Sequence, residues 1–340
     1  MNEVKTSAKA LLLSFFVGAI ALLIAVMVVP VKAACADDAE AEVVASWQIG
    51  SPTPSDVVAT LFDDGTLVFS GSGDTKDYTN ASKPAWYESY RHDIKHVIFE
   101  EGVAPNNLSY YFYQCMYLRS VNCIPDTVTN MSYTFAGNRN LDTKEDEYLY
   151  DLKEIPPLPS GLTNVNYAFL NCCGLQVAPV LPDGITSIQS TFMNCTSLVM
   201  VPNLPANLKN MSNAFNGCHN LSSIPEIPEG VTMMGGTFMT CFALESPTNI
   251  PSGVTVLNNT FYRCKGMTII PKGWDIPDSV TKTQNMFAIM EGMDAPYGKN
   301  NKLKTYCDPS DYERLSTDSR LTWDAWNREL ISGYPDASNN

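Results

Sequence analysis

The sequence predicts an α/β solenoid, in which coils of about 23 residues stack between a β-rich N-terminal cap and a small helical C-terminal cap. Three observations predict this class: a phenylalanine that recurs at a nearly constant spacing, an apolar pattern that repeats with it, and two flanking segments that break the pattern. One coil is too small to bury its apolar side alone. Like residues must therefore stack over like residues to form a shared core.

Residues 1–36 carry the parts of a secretory signal peptide. Lys5 and Lys9 precede a long apolar run that ends in small residues. We therefore expect a secreted or cell-surface protein. An uncleaved signal anchor is the alternative, because the run is long enough to cross a bilayer. Lipid attachment at Cys35 is disfavoured, because Lys32 stands where such a signal has an apolar residue.

The charge balance excludes some classes of partner. The chain has 22 Lys and Arg against 36 Asp and Glu, which gives a net charge of −14. This sign disfavours nucleic acid and anionic membrane surfaces, which bind basic patches. Only 3 histidines are present, so few groups titrate near neutral pH.

Eight phenylalanines mark seven repeats, with spacings of 23, 34, 23, 23, 23, 23 and 26 residues. The two longer spacings correspond to an 11-residue insertion near residues 142–152 and a three-residue insertion near residues 272–274. The spacing predicts that these rings form the core of a solenoid over residues 112–290. They are Phe112, Phe135, Phe169, Phe192, Phe215, Phe238, Phe261 and Phe287.

Within one repeat, apolar residues advance by steps of three and four, which predicts one face of a helical turn. Two prolines three residues apart follow, as at Pro225 and Pro228, and they favour a short extended segment. Each coil is therefore predicted to hold a short strand and a helical turn. The apolar run of one coil is Leu208, Met211, Phe215, Cys218 and Leu221.

The repeat resembles the bacterial BspA-like leucine-rich repeats, whose coils read roughly aFxxCxxLxxIxLPxxVTxIgxxaF. Residues 65–73 and 94–103 are also similar to the segment that precedes those repeats, so the resemblance covers about residues 57–290. The paired prolines are a departure from the family pattern. The resemblance implies leucine-rich-repeat coils and an exported or surface protein that binds other macromolecules without catalysis.

Both ends of the array are predicted to differ from the coils. Residues 57–111 indicate a β-rich cap with a hairpin that turns at Asp64 and Gly65. Residues 37–56 are predicted to be a flexible segment, and residues 37–46 lack enough apolar periodicity to predict order. Residues 291–340 are predicted to form a helical cap and tail. The signals for that helix are the pair Asp308–Pro309 and the spacing of Trp323, Trp326 and Leu330.

A column of cysteines, with asparagine in one coil, follows the first seven of the eight phenylalanines by three residues. Export permits disulfides, and neighbouring coils would bring these residues within disulfide range. Parallel side chains in a ladder point the same way, however, so we favour a ladder of buried, unreactive thiols. The column contains Cys115, Asn138, Cys172, Cys195, Cys218, Cys241 and Cys264.

Aromatic residues outside the core positions are candidates for a binding surface, because exposed aromatics commonly anchor proteins and glycans. Tyr148 and Tyr150 lie in the acidic insertion, for which a solvated loop is favoured over a calcium site. The candidates are Tyr148, Tyr150, Tyr262 and Trp274, and Tyr110, Tyr111 and Tyr113 also fall off the core positions.

No motif predicts catalysis, a cofactor or a metal. His92 and His96 lack a third ligand and the HExxH pattern. Cys218 and His219 are adjacent in sequence, which does not make them a catalytic pair, and Cys218 is one of six equivalent residues.

The sequence therefore predicts an exported, non-enzymatic protein that binds a protein or a glycan at or near the cell surface. A passive spacer of the cell envelope is the alternative. A secreted hydrolase is disfavoured, because nothing indicates paired carboxylates in a shared cleft.

Overall fold

A computed structural model of the protein describes residues 41–139, 146–289, 303–323 and 328–334. The expected signal peptide, residues 1–36, lies outside the described residues. For residues 138, 139, 146 and 147 only the main chain is described. Within the described ranges, no helix combines the length and the apolar character that crossing a membrane requires.

Strands outnumber helices in the described residues, and most of both lie at the two ends of the array. The helices are α1 (Tyr87–Tyr90) and α2 (Tyr312–Thr317), with a 3₁₀ turn at Pro54–Asp56. The strands are β1 (Val43–Gln48), β2 (Gly50–Ser51), β3 (Val57–Phe62), β4 (Thr66–Gly71), β5 (Asp74–Thr75), β6 (His96–Phe99), β7 (Ser120–Val121), β8 (Asn138–Arg139), β9 (Asp146–Glu147), β10 (Leu303–Cys307) and β11 (Arg328–Ser332).

A five-stranded sheet in the order β1-β3-β4-β6-β7 begins the fold. Its first three strands are antiparallel, and β3 turns into β4 where Gly65 takes a φ of +90°. From β4 onward the pairing is parallel, and the sheet ends in the first coil at β7. The sheet therefore continues across the predicted boundary at residue 111.

Strand β1 lies in the segment 37–56, which the sequence predicts to be flexible, so for residues 43–48 that prediction is wrong. Hydrogen bonds to β3 order this strand, and the Trp47 side chain packs against two aromatic rings from residues later in the chain. The ring centroid of Trp47 lies 5.7 Å from that of Trp86 and 5.6 Å from that of Tyr90. Because these partners are distant in sequence, the apolar pattern of residues 37–56 alone does not predict the strand.

The coils are built from successive tight turns, and the predicted helical turn is absent from the described coils. In the coil around Phe215, the amides of Ala214 and Cys218 donate to carbonyls three residues back, at 3.0 Å each. Asn213 and Gly217, two residues to either side of Phe215, have φ values of +54° and +81°. Left-handed residues at this interval stop a right-handed helix, although they keep the same apolar spacing.

Parallel main-chain hydrogen bonds join each coil to the next. The amide of Phe192 donates to Ala214, that of Phe215 to Thr237, and that of Phe238 to Thr260, at 2.9 to 3.0 Å. Isolated parallel bridges recur five residues before the phenylalanine: Asn107 to Asn130, Asn130 to Asn164, Ser187 to Asn210, Asn210 to Met233, and Val256 to Lys282.

All eight repeat phenylalanines are buried, and they form one stacked column through the core. Consecutive ring centroids lie 5.2 to 5.9 Å apart, with interplanar angles of 1° to 18°. At the far end Trp323 stacks on Phe287 at 5.7 Å and 12°. The column thus ends on an indole from the C-terminal segment.

The prediction of a helix through Trp323, Trp326 and Leu330 is wrong. Leu330 lies in β11, which pairs with β10 in parallel, and Trp326 lies outside the described residues. A bridge between Ile269 and Tyr306 joins β10 to the last coil. This pairing offers the main chain hydrogen bonds along its whole length, which outweighs the helical spacing of three apolar side chains. Helix α2 is confined to Tyr312–Thr317.

Candidate ligand-binding face

Trp274 does not lie on the surface, so its prediction as an exposed binding residue is wrong. Its exposed fraction is 3%, its Nε1 donates to the Thr248 carbonyl at 2.9 Å, and its ring centroid lies 5.9 Å from that of Phe287. The three-residue insertion adds a turn, closed by a 3.0 Å bond from the Trp274 amide to Pro271. That turn directs the indole into the core.

Tyr148 and Tyr150 lie at the end of the longer insertion, with ring centroids 6.1 Å apart. Leu149 between them is fully buried, whereas Tyr150 is exposed over 54% of its surface. The acidic residues at 141–145 lie outside the described residues. Among the residues that are described, no group of three His, Cys, Asp or Glu is placed to hold a metal ion.

The cysteine column is buried, and its thiols are free. Cys195, Cys218, Cys241 and Cys264 each donate through Sγ to the carbonyl of the phenylalanine of the preceding coil, at 2.9 to 3.2 Å. Cys172 makes the same bond to Phe135, at 3.3 Å.

Cys115 begins the column, and the side chain of Asn138 is not described. Burial raises the pKa of these thiols, that of Cys264 to about 12. The reactive thiolate is therefore disfavoured throughout the ladder.

Two residues in almost every coil take the left-handed conformation, two before and two after the phenylalanine. Asparagine, serine or glycine stands at the preceding position in the later coils. In three early coils this position is tyrosine: Tyr110, Tyr133 and Tyr167 have φ values of +61°, +57° and +60°. A bulky residue in this conformation costs about 1 kcal/mol or more, and such strain concentrates at functional sites.

Main-chain hydrogen bonds between coils hold these tyrosines in the strained conformation. The amides of Tyr110, Tyr133 and Tyr167 donate to the next coil at 3.3, 3.2 and 3.1 Å. The rings stack as a result: Tyr110 and Tyr133 at 4.8 Å and 9°, and Tyr133 and Tyr167 at 4.5 Å and 5°. Gln189 of the following coil donates through Nε2 to the Tyr167 hydroxyl at 2.8 Å.

Two further tyrosines extend this stack. Tyr113 meets Tyr110 edge-on at 5.5 Å, and Tyr87 of α1 stacks on Tyr113 at 6.0 Å. All five rings are half-buried, so each keeps a part open to solvent. We call Tyr87, Tyr110, Tyr113, Tyr133 and Tyr167 the tyrosine face. Burial, and then the neighbouring tyrosines, raise the pKa of Tyr133 to about 12, so the phenol stays neutral at physiological pH.

A lysine lies at one end of the tyrosine face. The Lys83 Nζ lies 3.9 Å from the ring centroid of Tyr113, 4.1 Å from that of Tyr110 and 5.4 Å from that of Tyr87. It also donates to Asn80 Oδ1 at 3.0 Å. Burial lowers the pKa of Lys83 to about 8, although the nearby Glu88 carboxylate opposes this shift.

The off-core tyrosines named from the sequence divide between the face and the core. Tyr110 and Tyr113 belong to the tyrosine face, whereas Tyr111 is buried and donates to the Lys76 carbonyl at 2.9 Å. Tyr262 is half-buried at the same repeat position as Tyr113, several coils away.

Tyr133 and Tyr167 were missed by the sequence analysis. The signal that would have found them is a tyrosine two residues before the phenylalanine in three consecutive coils.

A second exposed patch is aliphatic and lies on two neighbouring coils. Val177 pairs with Met200 in a parallel bridge, and Val180 and Val199 flank them. Val180 is exposed over 64% of its surface. We call Val177, Val180, Val199 and Met200 the aliphatic patch.

The repeats match a known family. The family model described as "BspA type Leucine rich repeat region" matches residues 148–287 in 6 copies, which confirms the resemblance of the repeat pattern. No curated protein matches the sequence.

Solved structures of bacterial leucine-rich repeat proteins are distantly similar. One from Eubacterium ventriosum is 17% identical, with 85% of this chain and 84% of that chain covered and a TM-score of 0.33. One from Bacteroides ovatus is 15% identical, with 86% and 100% covered and a TM-score of 0.39. A leucine rich cell surface protein from Faecalibacterium prausnitzii is 17% identical, with 74% and 94% covered and a TM-score of 0.26.

Proposed function

From the premise that residues 148–287 of this chain are a region of BspA-type leucine-rich repeats, we propose that the protein is an exported, non-enzymatic binding protein that acts at or near the cell surface. Its ligand is a protein or a glycan, and its binding site is the tyrosine face. The N-terminal segment, with two lysines ahead of a long apolar run, supports export.

The observation that carries this proposal is the stack of Tyr110, Tyr133 and Tyr167 on left-handed backbone. Other coils place small or polar residues there, which suit that conformation better. Tyr133 and Tyr167 are not among the buried residues of the core, and Tyr110 packs against the core but stays half-buried. Large, rigid rings with a hydroxyl at the edge are efficient anchors for macromolecules.

We propose that the coils form a solenoid that presents the tyrosine face. The β-rich N-terminal segment covers one end of this solenoid, and β10 and β11 cover the other end. Open ends would expose core side chains and unpaired main-chain groups. At the N-terminal end, Phe69 and Phe99 meet Phe112 edge-on, and Trp86 meets Phe69 edge-on. At the other end, Trp323 stacks on Phe287. Both ends are thus supplied with aromatic covers.

The environment of the nucleophilic side chains supports a role without catalysis. The Cys218 thiol donates to the Phe192 carbonyl at 3.1 Å, and burial raises its pKa well above the usual value. The His219 ring stacks on Phe242 at 4.5 Å. Burial, followed by the nearby Arg263 and Lys265, lowers the pKa of His219. Neither residue is arranged to activate the other.

A binding screen with site variants tests the proposal. Residues 37–340 are applied to panels of cell-surface proteins and glycans, and bound ligands are titrated. Tyr133→Ala/Tyr167→Ala is expected to weaken binding by about tenfold or more, because anchor rings carry most of the binding energy. Val180→Ser, on the aliphatic patch, is expected to bind like the unsubstituted protein.

Equal binding by all three proteins would exclude the tyrosine face as the site. Absence of any ligand above background would favour the alternative, a passive spacer of the cell envelope. Circular dichroism of each variant confirms that the proteins compared are folded.

A further inference from the structure

We propose that Tyr87, Tyr110 and Tyr113 form a cage for a quaternary ammonium group, and that Lys83 of the same chain fills this cage until such a ligand displaces it. The inference rests on the proposed function, because the cage is one end of the tyrosine face. It adds the chemical class that this end recognises.

The geometry is that of a cation held by aromatic rings. The Lys83 ammonium lies within 3.9 to 5.4 Å of three ring centroids, inside the distance of about 6 Å over which a ring attracts a cation. Tyr133 supports the cage from behind, since it stacks on Tyr110 and meets Tyr113 edge-on at 6.5 Å. Tyr87 is fixed by a hydrogen bond from its hydroxyl to Gln114 Oε1.

The cage suits a quaternary ammonium better than the primary ammonium that occupies it. A lysine ammonium has three N–H donors. Among the described residues, Lys83 Nζ donates only to Asn80 Oδ1, and its other close neighbours are the three rings. The Glu88 carboxylate attracts it electrostatically but accepts no hydrogen bond from it. A trimethylammonium group has no N–H to satisfy and gives up less hydration, so it gains the same attraction at a smaller cost.

Lys83 is placed where it can leave. It follows the exposed residues Asn80, Ala81 and Ser82, in a turn closed by bonds between Thr79 and Ser82 at 2.9 and 3.2 Å. Its one hydrogen bond in this turn goes to the side chain of Asn80, so the main-chain bonds of the turn do not depend on the lysine. Rotation of the side chain into water therefore empties the cage without unfolding its walls.

Calorimetric titration of the folded protein with choline chloride tests the cage. The neutral isostere 3,3-dimethylbutan-1-ol is titrated in parallel. Lys83→Ala is expected to bind choline about tenfold tighter than the unsubstituted protein, and Tyr113→Leu about tenfold weaker. The isostere is expected to bind about tenfold weaker than choline in the unsubstituted protein and in Lys83→Ala.

Matched controls separate the cage from the rest of the surface. Lys209→Ala removes another exposed lysine, and Tyr262→Leu removes the tyrosine at the repeat position of Tyr113; neither is expected to change choline affinity. If Lys83→Ala does not tighten binding, or if the neutral isostere binds as well as choline, the cage proposal is overturned.

Two further arms identify where the trimethylammonium group comes from. Phosphatidylcholine vesicles present it on a lipid, and a peptide with trimethyllysine presents it on a protein. Binding of either that is lost in Tyr113→Leu supports the cage and names the source. The two proposals fail separately: macromolecule binding that depends on Tyr133 and Tyr167 without choline binding overturns only the cage, whereas choline binding without any macromolecular ligand overturns only the proposed function.

Discussion

Arg328 donates through Nη2 to the carbonyl oxygen of Cys264 at 2.8 Å, across 64 residues of sequence. The guanidinium is fully buried, and its other hydrogen bonds go to Phe287 O, Met267 O and Thr305 Oγ1. All of these acceptors are neutral. Burial accordingly lowers the pKa of Arg328 to about 10. A strand of the C-terminal segment thus adds side-chain donors to the main-chain carbonyls of the coils around Phe261 and Phe287.

Arg328→Met is expected to lower the free energy of unfolding by about 3–5 kcal/mol, because it removes the four hydrogen bonds of the buried guanidinium while keeping an apolar chain of similar length. Urea unfolding followed by circular dichroism measures the change. Arg119→Met is the control, since Arg119 pairs with Asp151 on the surface and is expected to cost less than about 1 kcal/mol. Equal stability of the two variants would contradict a capping role for Arg328.

Phe215→Ala is expected to cost about 3–5 kcal/mol, because Phe215 is fully buried between Phe192 and Phe238, at 5.7 and 5.9 Å. The rigid stack on both sides limits how far the cavity can collapse. Tyr150→Ala, at an exposed ring, is expected to stay within about 0.5 kcal/mol of the parent. Urea midpoints of the two variants test this difference, and a small loss for Phe215→Ala would mean that the column is not the main support of the coils.

Two adjacent glycines offer a sharper test of the left-handed positions. Gly236 has a φ of +66°, and an added Cβ would overlap Asn213 Oδ1. Gly235 is not left-handed, and the nearest atom to its added Cβ is Asn258 O, at 3.9 Å. Gly236→Ala is therefore expected to lower stability by about 1–3 kcal/mol, and Gly235→Ala by less than about 0.5 kcal/mol. Thermal unfolding of both variants compares them directly, and a reversed order would refute the assignment of strain to this position.

The repeat period predicts the stacked phenylalanine column well, because equal spacing brings equivalent residues of neighbouring coils together. The family resemblance is confirmed for residues 148–287. The local conformation is harder to predict, because apolar residues spaced three and four positions apart fit consecutive tight turns as well as a helix. The sign of φ at Asn213 or Tyr133 decides between them. It is set by hydrogen bonds to the neighbouring coil, which the local sequence does not contain.

In the candidate site, too, features that recur with the repeat are predictable from the sequence, whereas features set by distant contacts are not. Tyr133 and Tyr167 could be found by comparing equivalent repeat positions, because their recurrence is visible in the sequence. The burial of Trp274 could not be found in this way, since the insertion that carries it has no equivalent in other coils. The role of Arg328 could not be predicted for a related reason: three of its four partners are main-chain oxygens 41 to 64 residues away, which the pattern of side chains does not reveal.

The buried thiols are expected to make the protein less stable as pH rises above the ordinary thiol pKa near 9.0. Burial raises the pKa of Cys218 in the folded protein, so the folded state keeps a proton that the unfolded chain releases. Rising pH then favours unfolding, by about 1.4 kcal/mol per pH unit for each such thiol. Below the ordinary thiol pKa both states are protonated, and the thiols contribute no slope.

Urea unfolding of the parent and of Cys218→Ala between pH 7 and pH 10.5 measures this slope. Cys218→Ala is expected to lose stability less steeply above pH 9 than the parent, by about 1.4 kcal/mol per pH unit. Leu221→Ala removes a buried side chain of the same coil that does not titrate, so its curve is expected to run parallel to that of the parent at lower stability. Parallel curves for all three proteins would show that the Cys218 thiol ionises equally in the folded and unfolded states, against the burial that the ladder imposes.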